Sequence, residues 1–268
     1  MSPVWWIEPR YYQMATLTGL LLYGISELDF PVTWQSAGLI ISTALLSQYV
    51  ATRLFKLPVF DPRSALIASL SLCILMRADS QWLLIVGAMI TIFSKFILRW
   101  QGKHIFNPTN LGLTGMMYLT GGQVWVSPGQ WGNLAFFSFL IACLGMVVVY
   151  RALRNDVTFA FLGFYVSILL GRAVWLGDPW AIPLHQLQNG ALLLFAFFMI
   201  SDPKTTPDSR AGRILFALCV ALGAALVQFV LYRTNGLLWS LVCCSLLVPL
   251  LDWWLPGKRY QWSNPTVQ

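Results

Sequence analysis

Between an apolar run that ends at Ile200 and another that begins near Ile214 lies Ser201-Asp202-Pro203-Lys204-Thr205-Thr206-Pro207-Asp208-Ser209-Arg210. Lipid cannot satisfy the hydrogen-bonding groups of irregular backbone. A polar, proline-broken turn between two membrane-length segments must therefore lie at a membrane surface or line a polar cavity. This turn is the first place to look for a site.

Composition is what makes the flanking runs membrane segments. The chain has 268 residues, of which 57% are hydrophobic and 10% charged. That is too few charges to coat a soluble globule of this size. The expected fold is an all-α polytopic membrane protein forming a single membrane domain over residues 1–268. Ten apolar segments are legible, at about 12–28, 36–54, 64–77, 81–98, 107–121, 132–151, 157–176, 186–201, 212–232 and 236–254. Residues Met1 to Arg10 hold Trp5, Trp6, Glu8 and Pro9 rather than a basic stretch followed by an apolar core, so no cleaved leader is expected.

The net charge of +7 reports topology rather than a nucleic-acid partner. With the N-terminus cytoplasmic, fourteen of the 17 Lys and Arg residues fall in loops assigned inside, and only Arg77, Arg172 and Arg233 fall outside. This asymmetry favours ten crossings with both termini cytoplasmic, in a cell (inner) membrane. Tryptophans near segment ends, such as Trp34, Trp100, Trp175 and Trp253, fit an interfacial belt. Lys95, Arg77 and Arg172 sit near segment ends and are expected to snorkel to the interface. Asp252 has no evident task. Cys73, Cys143, Cys219, Cys243 and Cys244 lack metal spacing, and His104 and His185 stand alone, so no metal site is expected.

The segments starting at Ser64, Asn107 and Gln186 have only about 14 to 16 residues, short of the roughly 20 a full crossing needs. They read as half-helices or re-entrant pieces. Their order also repeats: short helix, polar turn, longer helix, Asn-led helix occurs once around Asp79 and Asn110 and again around Asp202 and Asn235. Repeat one covers about 11–121 and repeat two about 132–254. Five segments per unit is an odd number, so the second unit enters the membrane in the opposite sense, and a site is expected between the halves near the midplane. Asn107 with Pro108 looks like a helix N-cap and first helical residue, and Asp61 caps the third segment. Such half-helix starts leave N–H donors for a ligand.

Three motifs carry a family resemblance. They are Phe106-Asn107-Pro108-Thr109-Asn110-Leu111-Gly112-Leu113, the run Asp61-x-Arg63-Ser64-Ala65-Leu66, and Phe197-Phe198-Met199-Ile200-Ser201-Asp202-Pro203-Lys204-Thr205-Thr206-Pro207 followed by Gly212-Arg213. From about Pro58 to Leu251 the chain resembles the RnfD and NqrB family of the Rnf and Nqr complexes, membrane components of respiratory ion-translocating oxidoreductases. The resemblance implies a urea-channel-like fold of two inverted five-helix repeats, flavin near the membrane surface, and electron transfer to partner subunits. In that family a Ser-Gly-Ala-Thr loop esterifies FMN. This chain has no such sequence, and Gln130 takes the place of the acceptor Thr, so covalent flavinylation is not expected.

Two functional readings follow. In the first, a flavin (FMN or riboflavin) binds noncovalently between the Asn107 helix, the Ser127-Pro128-Gly129 loop and the Asp202 turn. Asp61, Arg63, Ser64, Asn107, Pro108, Asn110, Ser127, Asp202, Lys204, Thr205 and Thr206 would then line the site. The chain would relay electrons for other subunits of a membrane complex or for a soluble redox protein, with self-association left open. In the second, the same cavity is a channel or transport path for a small solute. Nucleotide-binding, acyl-transfer and zinc-protease motifs do not occur, so catalysis would be at most that of a redox component in a larger complex.

Overall fold

A computed structural model describes residues 8–28, 30–126 and 135–261, with the backbone alone over 135–140. Each of the ten apolar stretches is occupied by a helix or a broken helix. In the first half these are α1 (Pro9–Ser26), α2 (Trp34–Leu54), α3 (Arg63–Leu75), α4 (Gln81–Ile97) and α5 (Pro108–Thr120). In the second half they are α6 (Ala135–Arg151), α7 (Asn155–Leu176), α8 (Ala181–Leu187) followed by α9 (Gly190–Leu194), α10 (Arg210–Ala225), and α11 (Gly236–Ser245) followed by α12 (Val248–Trp254). Helix α9 runs on into a π-helical turn at Phe195–Met199, and α10 into another at Leu226–Val230. By length and composition, 155–176 and 210–230 can each cross a membrane, and the bent pairs α8–α9 and α11–α12 raise the count to four. The chain is an integral membrane protein.

The short segments are short in the structure too. Helices α3 and α5 have 13 residues each, roughly 20 Å at 1.5 Å per residue, against a hydrocarbon core of about 30 Å. Their ends are therefore inside the protein, where every loose N–H and C=O needs a partner. Asn107 supplies one at the start of α5: its Oδ1 accepts from the Asn110 N–H at 3.1 Å, with Pro108 at the first helical position, as expected from the sequence. Gly121, at φ +58°, closes the same helix in the left-handed conformation that glycine tolerates. The end of α3 is closed differently. Arg77 is buried and donates to the Cys73, Ile74 and Met76 carbonyls at 2.8 to 3.0 Å. The sequence had Arg77 snorkelling to the interface. It is instead held inside as a cap, because a half-helix C-terminus offers it carbonyls closer than lipid headgroups could.

Strand β1 (Met76–Ala78) follows α3 and pairs antiparallel with β4 (Val124–Val126), Met76 opposite Val126. A second ribbon joins β2 (Arg99–Trp100) to β3 (Lys103–His104). The first pairing places the C-terminal ends of α3 and α5 together at one end of the molecule. At the opposite end the polar loops tie one another down. Lys103 Nζ lies 3.0 Å from an Asp208 oxygen and 2.6 Å from an Asp252 oxygen, and Asp252 also accepts the Asp208 N–H at 2.7 Å. Arg213 pairs with Asp156 at 2.6 Å. Asp252, without a role in the sequence, thus anchors α12 to the Asp202–Arg210 turn and to β3. Between the two ends the main core is aromatic, built on Phe161, Phe195 and Phe216, with a smaller cluster around Ala44, Ala65, Ile92 and Phe96.

Removing the cation from the Lys103 cluster leaves two partly buried carboxylates near each other, a loss on the order of 2 kcal/mol. Lys103→Met is expected to lower the unfolding midpoint in detergent clearly, and adding Asp252→Asn to recover part of the loss. Equal midpoints for wild type and Lys103→Met would show the cluster to be energetically idle.

Candidate functional site

The loop before α3 and the start of α1 meet in an alternating ring of charge. Arg10 contacts Glu8 and reaches Asp61 at 2.5 Å, while Arg63 reaches Asp61 at 2.8 Å and Glu8 at 2.6 Å. Glu8 and Arg10 are buried. Burial works to raise the Asp61 carboxyl, but the two guanidiniums outweigh it and bring the group down to about 2. The ring is electrically balanced, so it fixes the α1 start against α3 rather than offering a free charge.

Beside this ring opens a cavity of about 250 Å³, close to the lower end of ligand pockets at about 300 Å³. Its walls are apolar where Ile67, Val148, Phe197 and Phe198 line it, and polar where Ser64, Lys95, Asn107, Asp202 and Lys204 do. Both halves of the chain contribute. Asn107 crosses between them: its Nδ2 donates to the Met199 carbonyl at 3.3 Å and to Asp202 at 3.4 Å. Asp202 accepts the Lys204 N–H at 3.0 Å. Protein surrounds Asp202 densely, with part of its surface left open to the cavity. Burial pushes its carboxyl up, against the pull of the Lys204 N–H and of the Lys204, Arg154 and Lys95 charges.

Of the residues expected at a site, the cavity gathers Asp61, Ser64, Asn107, Pro108, Asp202 and Lys204. Arg63 stands behind Asp61 in the charge ring. Thr205 and Thr206 are buried in the turn itself: the Thr205 hydroxyl donates to the Asp202 carbonyl at 3.3 Å, and Thr206 Oγ1 accepts from Arg154 at 3.0 Å. Asn110 is buried one turn further along α5 and donates to the Leu238 carbonyl at 3.1 Å, which ties α5 to α11. Ser127 and Gln130 lie outside the described residues. Strand β4, just before them, adjoins the far end of α5, roughly 20 Å from Asn107.

Among the lining residues that escaped the sequence reading are Lys95 and His104. Lys95 does not snorkel: it is 4% exposed, and its Nζ donates to Gln48 Oε1 at 2.7 Å and to Ser64 Oγ at 3.1 Å. His104 lines the same cavity, and its Nδ1 is buried without a hydrogen-bond partner among the described residues. Burial, reinforced by Arg99 and Lys95, pushes this imidazole down to about 3, so it is neutral at physiological pH.

A second cavity, of about 480 Å³, lies toward the other end. It is lined by both π-helical turns, through Phe195, Met199 and Gln228, and by Tyr165, whose hydroxyl hydrogen-bonds Gln228 at 2.8 Å. Met199 lies on the wall of both cavities.

The comparisons with known proteins agree on one group. A family model described as NQR2, RnfD, RnfE matches residues 114–261. Similar curated proteins are named as components of an ion-translocating oxidoreductase complex. The one from Shewanella amazonensis is 28% identical over 132 residues, 48% of this chain and 36% of that protein. The Cronobacter sakazakii protein is 29% identical over 163 residues, 59% of this chain and 44% of that protein. The Alcanivorax borkumensis protein is 30% identical over 135 residues, 49% of this chain and 37% of that protein. The chain therefore spans less than half the length of these relatives.

The lowered His104 value has a measurable consequence. The unfolded chain, with a histidine near 6.5, takes up this proton on acidification before the folded chain does. The stability from a neutral, buried His104 is therefore complete above about pH 6.5 and is lost as pH falls toward 3, at up to about 1.4 kcal/mol per pH unit. The Asp61 contribution is complete above 3.8 and is lost only as pH falls from there toward about 2, below this window. Melts in detergent between about pH 6.5 and 4.5 are expected to fall for wild type and to flatten for His104→Gln. Parallel curves would contradict the assignment.

Proposed function

Because the chain belongs to the NQR2, RnfD, RnfE family, we propose that it is a membrane component of an Rnf-like oxidoreductase complex and binds a flavin noncovalently in the cavity beside the charge ring, the inner cavity, the second being the outer one. The observation that carries this reading is the junction of Asn107 and Asp202 across the two halves, at a cavity with aromatic walls and a polar rim. That combination suits a flat ring with heteroatoms along its edges. The neutral His104 at the wall, with Nδ1 unpaired among the described residues, also fits a partner bearing N–H and C=O groups.

A flavin, when bound, supplies the one- and two-electron chemistry that side chains lack. The work left to the protein is positioning and exclusion. Phe197 and Phe198 on the cavity wall would pack against the ring and limit the water around it. Asn107, held by the start of α5 and by the Met199 carbonyl, has its amide fixed and so presents a defined edge. Asp202, whose carboxyl is raised by burial, holds a proton at its carboxylate oxygens more readily than an exposed aspartate does. Lacking an acceptor Thr, the chain would depend on these contacts alone for retention.

The inverted repeat belongs to the same reading. Packing inside the halves corresponds: α2 against α4 and α7 against α10, α4 against α5 and α10 against α11, α1 against α3 and α6 against α9. Between the halves the main contacts join α1 with α6 and α5 with α11, which supports reading these as equivalent helices under a pseudo-two-fold relation. Asn110 of α5 reaches α11 while Asn235, before α11, reaches Met117 of α5 at 3.6 Å. Ten crossings with both termini in the cytoplasm would place the inner cavity on the cytoplasmic side and leave the polar loops to dock other subunits.

A second reading has one observation of its own. The inner and outer cavities share only Met199 on their walls, so a shift of that flexible side chain would join them into a path for a small solute.

Visible absorption of the gently purified protein separates the two. Flavin bands near about 450 nm that pass into the supernatant on acid precipitation are the expected result, and Asn107→Ala and Asp202→Asn should each weaken riboflavin binding about tenfold or more while leaving the protein folded. A protein that remains colourless after incubation with riboflavin would favour the solute path, and flavin kept in the acid pellet would refute noncovalent binding.

A further inference from the structure

Lys95 is the costliest side chain in the inner cavity. It sits in the last turn of α4, is 4% exposed, and has no carboxylate within 4.0 Å among the described residues. An ammonium removed from water without a counter-charge loses several kcal/mol of hydration, and two neutral hydrogen bonds return only part of it. An ionisable residue kept at such a place in a membrane protein points to a task. Nζ has three N–H donors. One goes to Gln48 Oε1 and one to Ser64 Oγ, the latter itself on the cavity wall.

The charges around the cavity are otherwise committed. Asp61, from the loop before α3, is held by Arg10 and Arg63. Asp202 is bound by Asn107 and by the Lys204 N–H, and the Lys204 ammonium donates to the Tyr260 carbonyl at 3.3 Å. Arg99 donates to the Lys95 carbonyl, and His104 is neutral. Asp61 and Asp202 act on the Lys95 ammonium only from beyond 4.0 Å, and the open space beside it is the cavity.

We propose that Lys95 holds the electron-rich edge of the ring bound in the inner cavity and is the residue that stabilises its reduced, negatively charged form. This inference rests on the flavin reading given above. The charge balance is simple. A neutral isoalloxazine that takes two electrons from a low-potential redox partner, dithionite in the test, and one proton from solvent carries one negative charge. The Lys95 ammonium supplies the matching positive charge, and its hydrogen bonds to Gln48 and Ser64 keep it from turning away. Lys95 is a positioning and charge-matching residue and gives up no proton.

The test is redox potentiometry of riboflavin bound to the full chain in detergent, for wild type, Lys95→Gln and Lys95→Arg. Lys95→Gln is expected to weaken the binding of reduced riboflavin at least tenfold more than that of oxidised riboflavin, equivalent to a potential about 30 mV more negative for a two-electron couple. Lys95→Arg should keep most of the wild-type potential. Wild type needs no variant for a second check. In mildly acidic buffer, where free reduced flavin keeps both protons, the bound couple should shift by about 30 mV per pH unit, the slope for one proton per two electrons, rather than about 59 mV. A 59 mV slope, or a Lys95→Gln potential equal to wild type, would overturn the role of Lys95 and leave flavin binding intact. Failure of wild type to bind riboflavin at all would remove the flavin reading and this inference with it.

Discussion

Everything in this fold follows from the absence of hydrogen-bond partners in lipid. A helix that spans the membrane satisfies itself, but helices of 13 residues end inside the protein, and each end must be closed by something the chain brings. Asn107 closes the start of α5 and Arg77 the end of α3. The Asn107 amide is the more consequential of the two, because the same side chain that caps α5 also binds the Met199 carbonyl and Asp202 in the other half. A local requirement of one helix thus becomes the joint between two halves, and the cavity forms where that joint leaves room.

The polar end of the molecule, where the cavity opens, is stable because its charges are answered locally. Arg10, Arg63, Glu8 and Asp61 form a closed ring, Lys103 sits between Asp208 and Asp252, and Arg213 pairs with Asp156. Against that background two groups stand apart. His104 is neutral because charging it would cost more than its surroundings return. Lys95 hydrogen-bonds neutral partners only and feels Asp61 and Asp202 from a distance, which leaves a ligand to supply negative charge at contact.

Sequence reading succeeded where the cause is local in the chain. Apolar runs marked all ten helical stretches, and Asn107-Pro108 marked a cap because cap and helix are neighbours. The gathering of Asp61, Ser64, Asn107, Asp202 and Lys204 was also legible, through motifs shared with a known family. Distant pairings were not. Lys95 meets partners 47 and 31 residues away, and Asp252 meets one 149 residues away, so neither could be told from a snorkelling or idle charge. Thr205 and Thr206 looked like ligands by type, yet the backbone of their own turn and Arg154 occupy both hydroxyls.

The central claim is that a flavin is held at the inner junction of the two halves, and the most direct measurement is a cryo-electron-microscopy map of the full chain with riboflavin. Flat density between Phe197, Asn107 and Lys95, absent without riboflavin, is the result this account predicts. Density only beside Tyr165 and Gln228 in the outer cavity, or an inner cavity unchanged by riboflavin, would contradict it.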